Sequence, residues 1–405
     1  MAEKHHVTAS DIRGAGKLAI DATIGLTDLV ESLHHNISRA PGILGEPTKK
    51  PTTGVTGLVY RSIRGVSRLV GSGIDALLAR LVPLIAERPS SAEREAVVAA
   101  LNGVLGDHLA ETANPLAIEA RLRRNGKPLE LARPALAAAI PDATGKIAVF
   151  VHGLCMNDLQ WKRNGHEHGV ALASKAGFTT VCLHYNTGLH ISSNGRAFAG
   201  LLESMVKAWP VPVEELDIVA HSMGGLVSRS ACHYGAEAGQ QWPRLLKRIV
   251  FLGTPHQGAP LERGGHWIDI VLDASPYTAA FARLGKVRSA GITDLRHGSL
   301  LDGDWIRRDR FARSHARPLP LALPEGVACH AIAASLGKGP GDLGGRILGD
   351  GLVPVASALG VHKDPSRSLA FPPSRQWTGY GMNHLDLLDR REVGERIVAW
   401  LGAPP

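Results

Sequence analysis

The chain has 405 residues, of which 44% are hydrophobic and 20% are charged, and this is typical of a globular protein with a large buried core. The net charge is +8, but the basic residues form no long block and aromatic residues make up only 5%. Nucleic acid is therefore not an expected partner, because its binding calls for basic clusters and stacking aromatic side chains. We interpret the positive balance as an ordinary solvated surface.

The four cysteines form no CxxC pair and lie in apolar surroundings. We expect them to be buried free thiols in a reducing compartment, rather than disulfides or zinc ligands. The first residues lack the charged-then-apolar pattern of a signal peptide, and no run of 18 apolar residues occurs. These observations predict a cytoplasmic protein without a membrane-spanning helix, soluble or peripheral to a membrane.

Residues 1–142 are predicted to be a helical region with Gly and Pro breaks. Apolar residues recur at helical spacing over residues 18–37, and residues 92–111 predict another amphipathic helix. Residues 55–85 combine one continuous apolar face with arginines on the opposite side. That face suits either peripheral contact with an anionic membrane surface or packing against the rest of the protein or a second copy.

From residue 143 to residue 405 the pattern changes, because short β-branched runs alternate with helical stretches. Strands are predicted over residues 147–151, 179–184, 216–220, 248–252 and 328–334. Helices are predicted over residues 166–176, 194–209, 223–235 and 390–401. This order predicts an α/β fold with a doubly wound, mostly parallel sheet, forming a catalytic domain that follows the N-terminal helical region.

Ser222 lies in the turn between a predicted strand and a predicted helix. Ala220 and Gly224 stand two residues before and after it, which matches the G-x-S-x-G elbow with Ala in the first position. The serine of such an elbow occupies a strained turn that projects its Oγ above the sheet, and only small residues fit on either side. Ser222 is therefore the predicted nucleophile.

Cleavage of an ester by this serine also requires donors to the oxyanion. The backbone N–H of Met223, at the start of the following helix, is the first predicted donor. The second is the N–H of Leu154, in the loop that follows the strand at residues 147–151, where Gly153 allows a sharp turn. We interpret the neighbouring His152 as a structural residue of this loop.

The base of a serine hydrolase on such a sheet follows the nucleophile and the acid in the chain. His384 is the last histidine and lies just before the final predicted helix, so it is the predicted base. Its competitors are His362 and His330, of which His330 lies in an apolar strand and is expected to belong to the core.

The predicted acid is Asp350, which lies between two glycines after the strand at residues 328–334. Glycine on both sides allows the loop to bring the carboxylate to the imidazole, where it would orient the ring and stabilise its protonated form. Asp342 is the chief rival, and an ordinary Gly-Asp-Gly turn is the alternative interpretation.

Four motifs make the chain resemble the lipase-like α/β-hydrolases, which include GPI inositol-deacylase-like proteins and bacterial triacylglycerol lipases. They are Val-His-Gly-Leu at 151–154, Ala-His-Ser-Met-Gly-Gly at 220–225, Leu-Gly-Thr-Pro-His-Gln-Gly at 252–258 and Gly-Asp-Gly-Leu-Val-Pro at 349–354. The resemblance covers roughly residues 145–402 and does not extend to the N-terminal region. It implies hydrolysis of carboxylic esters by a Ser-Asp-His triad, with no cofactor and no metal. Ala220 departs from the commonest pattern.

Residues 256–323 form a long insertion that carries several apolar side chains. Such an insertion is expected to form a helical cap over the active site, where an apolar lining would suit acyl chains. The alternative is a helical excursion that packs on the core. We interpret His256, at its start, as structural rather than as a second base.

Together these features predict a serine hydrolase that cleaves a small-molecule ester, lipid-like in character, through an acyl-enzyme. Two alternatives stay open at this level. The same triad serves an acyltransferase, in which an alcohol replaces water, and a hydrolase fold also serves a non-catalytic binding protein. The sequence predicts neither the oligomeric state nor the head group and chain length of the substrate.

Overall fold

The computed structural model describes residues 92–258, 289–306, 321–342 and 349–403, together with Arg13, Gly14 and Lys17. Three of the predicted features lie largely or wholly outside these residues: the helix at 18–37, the apolar face of 55–85 and most of the insertion at 256–323.

The described elements alternate between helices and strands along most of the chain. The strands are β1 (Arg121–Arg124), β2 (Lys127–Pro128), β3 (Lys146–Val151), β4 (Lys162–Arg163), β5 (His166–Glu167), β6 (Thr179–His184), β7 (Glu215–His221), β8 (Leu246–Leu252), β9 (Ala328–Ser335) and β10 (Gln376–Tyr380). The helices are α1 (Ala92–Glu111), α2 (Arg133–Ala139), α3 (His168–Ala176), α4 (Ile191–Ala208), α5 (Met223–Glu237), α6 (Trp242–Leu245), α7 (Ala290–His297), α8 (Val355–Ala358) and α9 (Arg391–Leu401).

Eight of these strands form one sheet in the order β2-β1-β6-β3-β7-β8-β9-β10. All neighbours from β6 to β10 run parallel, whereas β1 is antiparallel to both β6 and β2. In the centre, Val149 of β3 lies opposite Val181 of β6 on one side and Ile218 of β7 on the other. β4 and β5 form a separate two-stranded hairpin.

The sheet has a hydrophobic core on each face, because successive side chains of a strand point to opposite sides. In β3, Val149 belongs to the core that α4 and α5 cover, whereas Phe150 belongs to the core that α3 and α9 cover. Fully burying one such side chain contributes about 1.5–3 kcal/mol. Helices on both faces of a mostly parallel sheet confirm the predicted fold class, the doubly wound α/β sheet of the α/β-hydrolase fold.

The sheet includes residues that the sequence placed elsewhere. β1 and β2 precede residue 143, the predicted start of the catalytic domain, so the N-terminal region contributes an edge of the sheet. β10 was not predicted, and it extends the sheet beyond β9. Residues 166 and 167, predicted as helix, form the short strand β5, and α3 begins at His168.

Contacts between Cα atoms divide the chain into two compact units, residues 1–94 with 111–116 and residues 95–110 with 117–405. In the first unit, the side chain of Asn114 donates to the carbonyl of Gly14 (3.1 Å) and accepts from the N–H of Leu116 (2.9 Å). The whole sheet belongs to the second unit. Among the described helices, none is both long enough and apolar enough to cross a membrane.

Helix α1 has the bounds predicted for it, but it is not amphipathic, because the five consecutive residues 102–106 are all buried. It lies against the loops that follow β3 and β6. A β-carbon at Gly103 would overlap Sγ of Cys155 in the first loop, and the side chain of Asn186 in the second donates to the carbonyl of Gly106 (2.9 Å). The hydroxyl of Ser289 donates to the carbonyl of Gly103 (2.6 Å). α1 therefore packs against the loops at the carboxyl ends of two central strands, β3 and β6.

All four cysteines are free thiols, and Cys155, Cys232 and Cys329 are buried, whereas Cys182 is partly exposed. Burial raises the pKa of the Cys329 thiol to about 12, so this group stays protonated. The expectation of buried thiols therefore holds for three of the four.

Candidate active site

Ser222 lies at the turn from β7 into α5, as the sequence predicted. Its backbone angles, φ 53° and ψ −125°, belong to a region that residues other than glycine rarely adopt. Main-chain hydrogen bonds hold this conformation, because its N–H donates to Leu252 (2.8 Å) and its carbonyl accepts from Gly225 (3.0 Å). The local geometry is therefore that of a strained strand–turn–helix elbow.

The space around the elbow explains why its neighbours are small. A β-carbon at Gly224 would overlap the carbonyl oxygens of Val151 and His152, at the end of β3. A β-carbon at Gly153 would stand only 3.0 Å from Cβ of Ser222. The loop after β3 thus lies directly against the serine, so only Gly fits at these positions without a shift.

Asp350 and His384 form a buried hydrogen-bonded pair, with Oδ2 of Asp350 2.7 Å from Nδ1 of His384. The second carboxylate oxygen accepts from the N–H groups of Leu352 (2.9 Å) and Val353 (2.8 Å). The flanking glycines have positive φ angles, 61° at Gly349 and 95° at Gly351, which favour Gly in the turn. The carboxylate is therefore held in place from both sides.

This pair and Ser222 lie at the same edge of the sheet, the carboxyl ends of its parallel strands. The N–H of Ser222 donates to Leu252, and a β-carbon on the next residue, Gly253, would stand 3.1 Å from Cε1 of His384. The N–H of His384 also donates to the carbonyl of Asp350 (3.1 Å). The structure thus joins the predicted acid and base in one hydrogen bond and places the predicted nucleophile at the same edge of the sheet.

The rival residues lie in other surroundings. Asp342 is exposed, and it is Asp350 that bonds to His384. Nδ1 of His362 accepts from the N–H of Asp364 in a local turn (2.9 Å). His330 is buried within β9 with its ring centroid 4.6 Å from that of Trp400, in keeping with the core position expected for it.

The two predicted oxyanion donors belong to the two segments next to Ser222, the start of α5 and the loop after β3. Met223 is the first residue of α5 and is fully buried. Leu154 is half-buried and follows Gly153, whose Cα faces Ser222. The next residue, Cys155, has φ 60°, and its N–H donates to Oγ1 of Thr187 (3.1 Å), so a side chain from the neighbouring loop holds this turn.

His152 is fully buried in the same loop and stacks on Tyr185, with ring centroids 4.5 Å apart. The Tyr185 hydroxyl donates to the carbonyl of His152 (2.8 Å). Burial lowers the pKa of His152 to about 3, because the charged imidazolium loses its hydration. His152 is therefore a neutral residue that packs the loop, in agreement with its interpretation from the sequence.

His256 is also buried, at the start of the insertion. Its Nδ1 lies 3.5 Å from Nη1 of Arg229, and Nη2 of the same guanidinium donates to the carbonyl of Leu321, near the end of the insertion. Burial lowers the pKa of Arg229 to about 10 and that of His256 well below its ordinary value. The guanidinium thus connects the two ends of the insertion, and His256 packs between Phe251 and Phe371.

Two further histidines contact the turn that carries His384 (residues 383–388), and the sequence did not reveal them. Nε2 of His221 lies 3.2 Å from the carbonyl oxygen of His384, and Nε2 of His168 lies 3.0 Å from that of Leu387. His221 belongs to the elbow motif, but the residue before the nucleophile points to the other face of the strand. Only the fold shows that the His384 turn lies there.

Among the residues that the structure describes, no cluster of three or more His, Cys, Asp and Glu side chains could hold a metal ion. The groups gathered around Ser222 are a hydroxyl, an imidazole, a carboxylate and main-chain N–H groups. Together they can supply a nucleophile, a base and an orienting carboxylate.

Residues 123–295 match the model of a family described as a domain of unknown function, DUF7379. No curated protein matches the chain. The mature form of the Bacillus licheniformis lipase BlEst2 is similar in structure, with 20% sequence identity, 70% of this chain and 98% of that chain covered, and a TM-score of 0.41.

Two other solved structures are similar. Aspergillus fumigatus lipase B shows 14% identity over 68% of this chain and 59% of that chain, with a TM-score of 0.36. A lipase-esterase related protein from Clostridium acetobutylicum shows 11% identity over 63% of this chain and 94% of that chain, with a TM-score of 0.34. Similarity this low shows nothing about the activity of this chain.

Proposed function

We propose that this protein is a serine hydrolase that cleaves carboxylic esters through an acyl-enzyme, with Ser222 as nucleophile. The observation that carries the proposal is the buried 2.7 Å hydrogen bond between Asp350 and His384, at the sheet edge that also carries the strained Ser222. A buried carboxylate on one imidazole nitrogen leaves the other nitrogen to act as a base. That is the arrangement that a serine needs in order to attack an ester.

The roles follow from the tautomer of the base. Because Nδ1–H of His384 donates to Asp350, Nε2 of the neutral ring carries the lone pair and takes the proton of the Ser222 hydroxyl. Oγ then bonds to the ester carbonyl carbon, the bond to the alcohol oxygen breaks, and the alcohol leaves with the proton that His384 returns. Water, deprotonated by the same nitrogen, then attacks the acyl carbon. The bond from this carbon to Oγ breaks, His384 returns the proton to Oγ, and the carboxylic acid leaves.

The oxyanion that forms during each attack requires donors that are fixed in advance. In this proposal the main-chain N–H groups of Met223 and Leu154 supply them. Met223 opens α5, so its N–H has no partner within the helix and lies at the positive end of the helix dipole. The contact of Gly153 with Ser222 supports the same role for the loop that carries Leu154.

We propose further that the natural ester is lipid-like, on the basis of the resemblance to lipases and of the apolar residues in the insertion at 256–323. A panel of p-nitrophenyl esters of increasing chain length tests this point. A rate that rises from acetate towards octanoate and longer chains would support a lipid-like substrate. A rate confined to acetate would contradict it.

The same panel tests the nucleophile. We expect Ser222→Ala to abolish hydrolysis of every ester that wild type cleaves. The control is Ser204→Ala, because Ser204 is an exposed serine of α4 whose hydroxyl donates to the carbonyl of Gly200. If Ser222→Ala and wild type cleave the esters equally well, Ser222 is not the nucleophile.

A fluorophosphonate probe followed by peptide mass spectrometry provides an independent test. We expect the label on Ser222, at a rate that falls sharply in His384→Gln. Absence of labelling in folded protein would favour a non-catalytic binding protein.

Product analysis in the presence of a competing alcohol such as glycerol separates the two possible reactions of the acyl-enzyme. Free acid indicates hydrolysis, and a new ester indicates acyl transfer.

A further inference from the structure

The turn that carries His384 is held partly by its own residues and partly by the rest of the fold. Within the turn, Oδ1 of Asn383 accepts from the N–H groups of Leu385 (2.9 Å) and Asp386 (3.0 Å). These local bonds shape the turn, but they do not fix it to the sheet. Two of its carbonyl groups, at His384 and Leu387, face histidine side chains from other elements.

The first of these side chains is His221, the last residue of β7. Its Nε2 lies 3.2 Å from the carbonyl oxygen of His384, and the two ring centroids are 4.6 Å apart. The ring is 1% exposed, and burial lowers its pKa well below the ordinary value. A neutral imidazole facing a carbonyl oxygen must carry its proton on the facing nitrogen. Nε2–H of His221 is therefore the donor, and Nδ1 is unprotonated.

The second side chain is His168, the first residue of α3. Its Nε2 lies 3.0 Å from the carbonyl oxygen of Leu387, and its Nδ1 lies 2.9 Å from Nε2 of His166. Burial lowers the pKa of His168 to about 4, so the ring is neutral near pH 7. The same reasoning makes Nε2–H the donor to Leu387, and Nδ1 then accepts from His166.

The two donors leave His384 little freedom. Its N–H donates to the carbonyl of Asp350, its own carbonyl accepts from His221, and its ring donates to Asp350. The hydrogen bond from His168 holds the turn at Leu387, three residues after His384. A catalytic base must keep its lone pair aligned with the hydroxyl, and a displacement of about 1 Å can lower the rate by roughly 100-fold.

We propose that His221 and His168 are positioning residues for the reaction, which hold the His384 turn through neutral N–H donors to its carbonyl groups. This inference rests on the proposed function, in which His384 is the base. Neither histidine touches the substrate in this account. Their effect is expected on the turnover rate rather than on substrate binding.

The test replaces each histidine in three ways and measures kcat and KM on the p-nitrophenyl ester that wild type cleaves fastest. His221→Met and His168→Met remove the donor at similar size. His221→Gln and His168→Gln keep an amide N–H at about the reach of Nε2. His221→Asn and His168→Asn keep the polarity but are too short to reach the carbonyl.

His330→Met is the matched control, because it removes a buried histidine from β9 that packs on Trp400 and lies outside the site. Thermal unfolding of every variant shows which of them fold. We expect the Met and Asn variants of His221 and His168 to lower kcat roughly tenfold with KM nearly unchanged, and the Gln variants to recover most of the loss. We expect His330→Met to keep the wild-type kcat.

The Gln and Asn pair keeps the test decisive if a Met variant fails to fold. Equal kcat in folded His221→Gln and His221→Asn, or a wild-type kcat in folded His221→Met, would overturn the role of His221, and the same comparison applies to His168. Failure of the proposed function has a different signature, since Ser222→Ala would then be as active as wild type.

Discussion

The carboxylate of Asp350 and the imidazole of His384 are 34 positions apart in the chain, yet their facing atoms are 2.7 Å apart and both residues are buried. The other carboxylate oxygen accepts hydrogen bonds from two main-chain N–H groups, so the carboxylate cannot rotate away without breaking these bonds. This relationship fixes which ring nitrogen carries the proton, and it makes the following substitution informative.

Asp350→Asn is expected to lower kcat by a factor on the order of 10⁴ while the protein stays folded. The amide oxygen can still accept from Leu352 and Val353, so the NH₂ group faces His384 and leaves Nδ1 as an acceptor. The proton then moves to Nε2, and the ring can no longer take the proton of Ser222. The measurement is kcat on a p-nitrophenyl ester, with Asp342→Asn as the control. Comparable losses in the two variants would contradict the assignment.

Thr187→Val is expected to lower kcat roughly tenfold with little change in KM, because it removes the hydroxyl that accepts from the N–H of Cys155. That N–H is buried, so the loop should shift to satisfy it and displace the neighbouring Leu154. Thr187→Ser keeps the hydroxyl and should recover most of the activity. Equal rates in the Val and Ser variants would show that this bond does not position the loop.

The free energy of unfolding is expected to fall as the pH drops from 7 to 5. Burial lowers the pKa of His152 to about 3 and that of His168 to about 4, whereas both groups have a pKa near 6.5 in an unfolded chain. Below pH 6.5 the unfolded state therefore binds protons that the folded state does not. The stability contributed by each neutral histidine is complete above pH 6.5 and is lost as the pH falls towards the folded-state value.

His168→Gln isolates the share of one histidine in this effect. Glutamine does not titrate, so the variant should lose up to about 2 kcal/mol less than wild type between pH 7 and pH 5. Urea unfolding at the two pH values measures the difference. If both proteins lose the same free energy, His168 is not held neutral by burial.

Ser222→Gly is expected to be more stable than Ser222→Ala by about 1 kcal/mol, although neither variant should turn over ester. The backbone at this position has φ 53° and ψ −125°, which glycine adopts without strain and alanine does not. Urea unfolding at pH 7 provides the comparison. An alanine variant as stable as the glycine variant would mean that the elbow stores no strain.

The residues of the proposed triad stand out in the sequence because their local requirements appear in short stretches of it. The elbow needs Ala220 and Gly224 beside Ser222, and the acid turn needs glycines with positive φ beside Asp350. These requirements are steric and act within a few residues. The central strands could also be predicted, because buried parallel strands have continuous runs of apolar residues.

The edges of the sheet could not be predicted in the same way. β1 has the sequence Arg-Leu-Arg-Arg, in which only Leu122 is apolar, and it forms a strand because β6 offers it a partner. β10 contains Gly379, which lowers the propensity for a strand, and it is stabilised by pairing with β9. Pairing with a distant strand outweighed local preference in both cases.

The contacts of His221 and His168 were hidden for a related reason. They join residues 163 and 219 positions apart, and no periodicity or motif records such a distance. The sequence therefore indicates the proposed catalytic groups more readily than the groups proposed to hold them in place.

Helix α1 limits how far the proposed catalytic unit can be shortened. Gly103 of this helix leaves room for Cys155, which follows the proposed oxyanion donor Leu154. The helix ends at Glu111, before the family match begins at residue 123. A fragment that starts at that match would retain the proposed triad and the central strands, but it would lose the helix that packs against the loop of Leu154 and Cys155. We therefore expect the smallest fragment that folds on its own to begin upstream of α1.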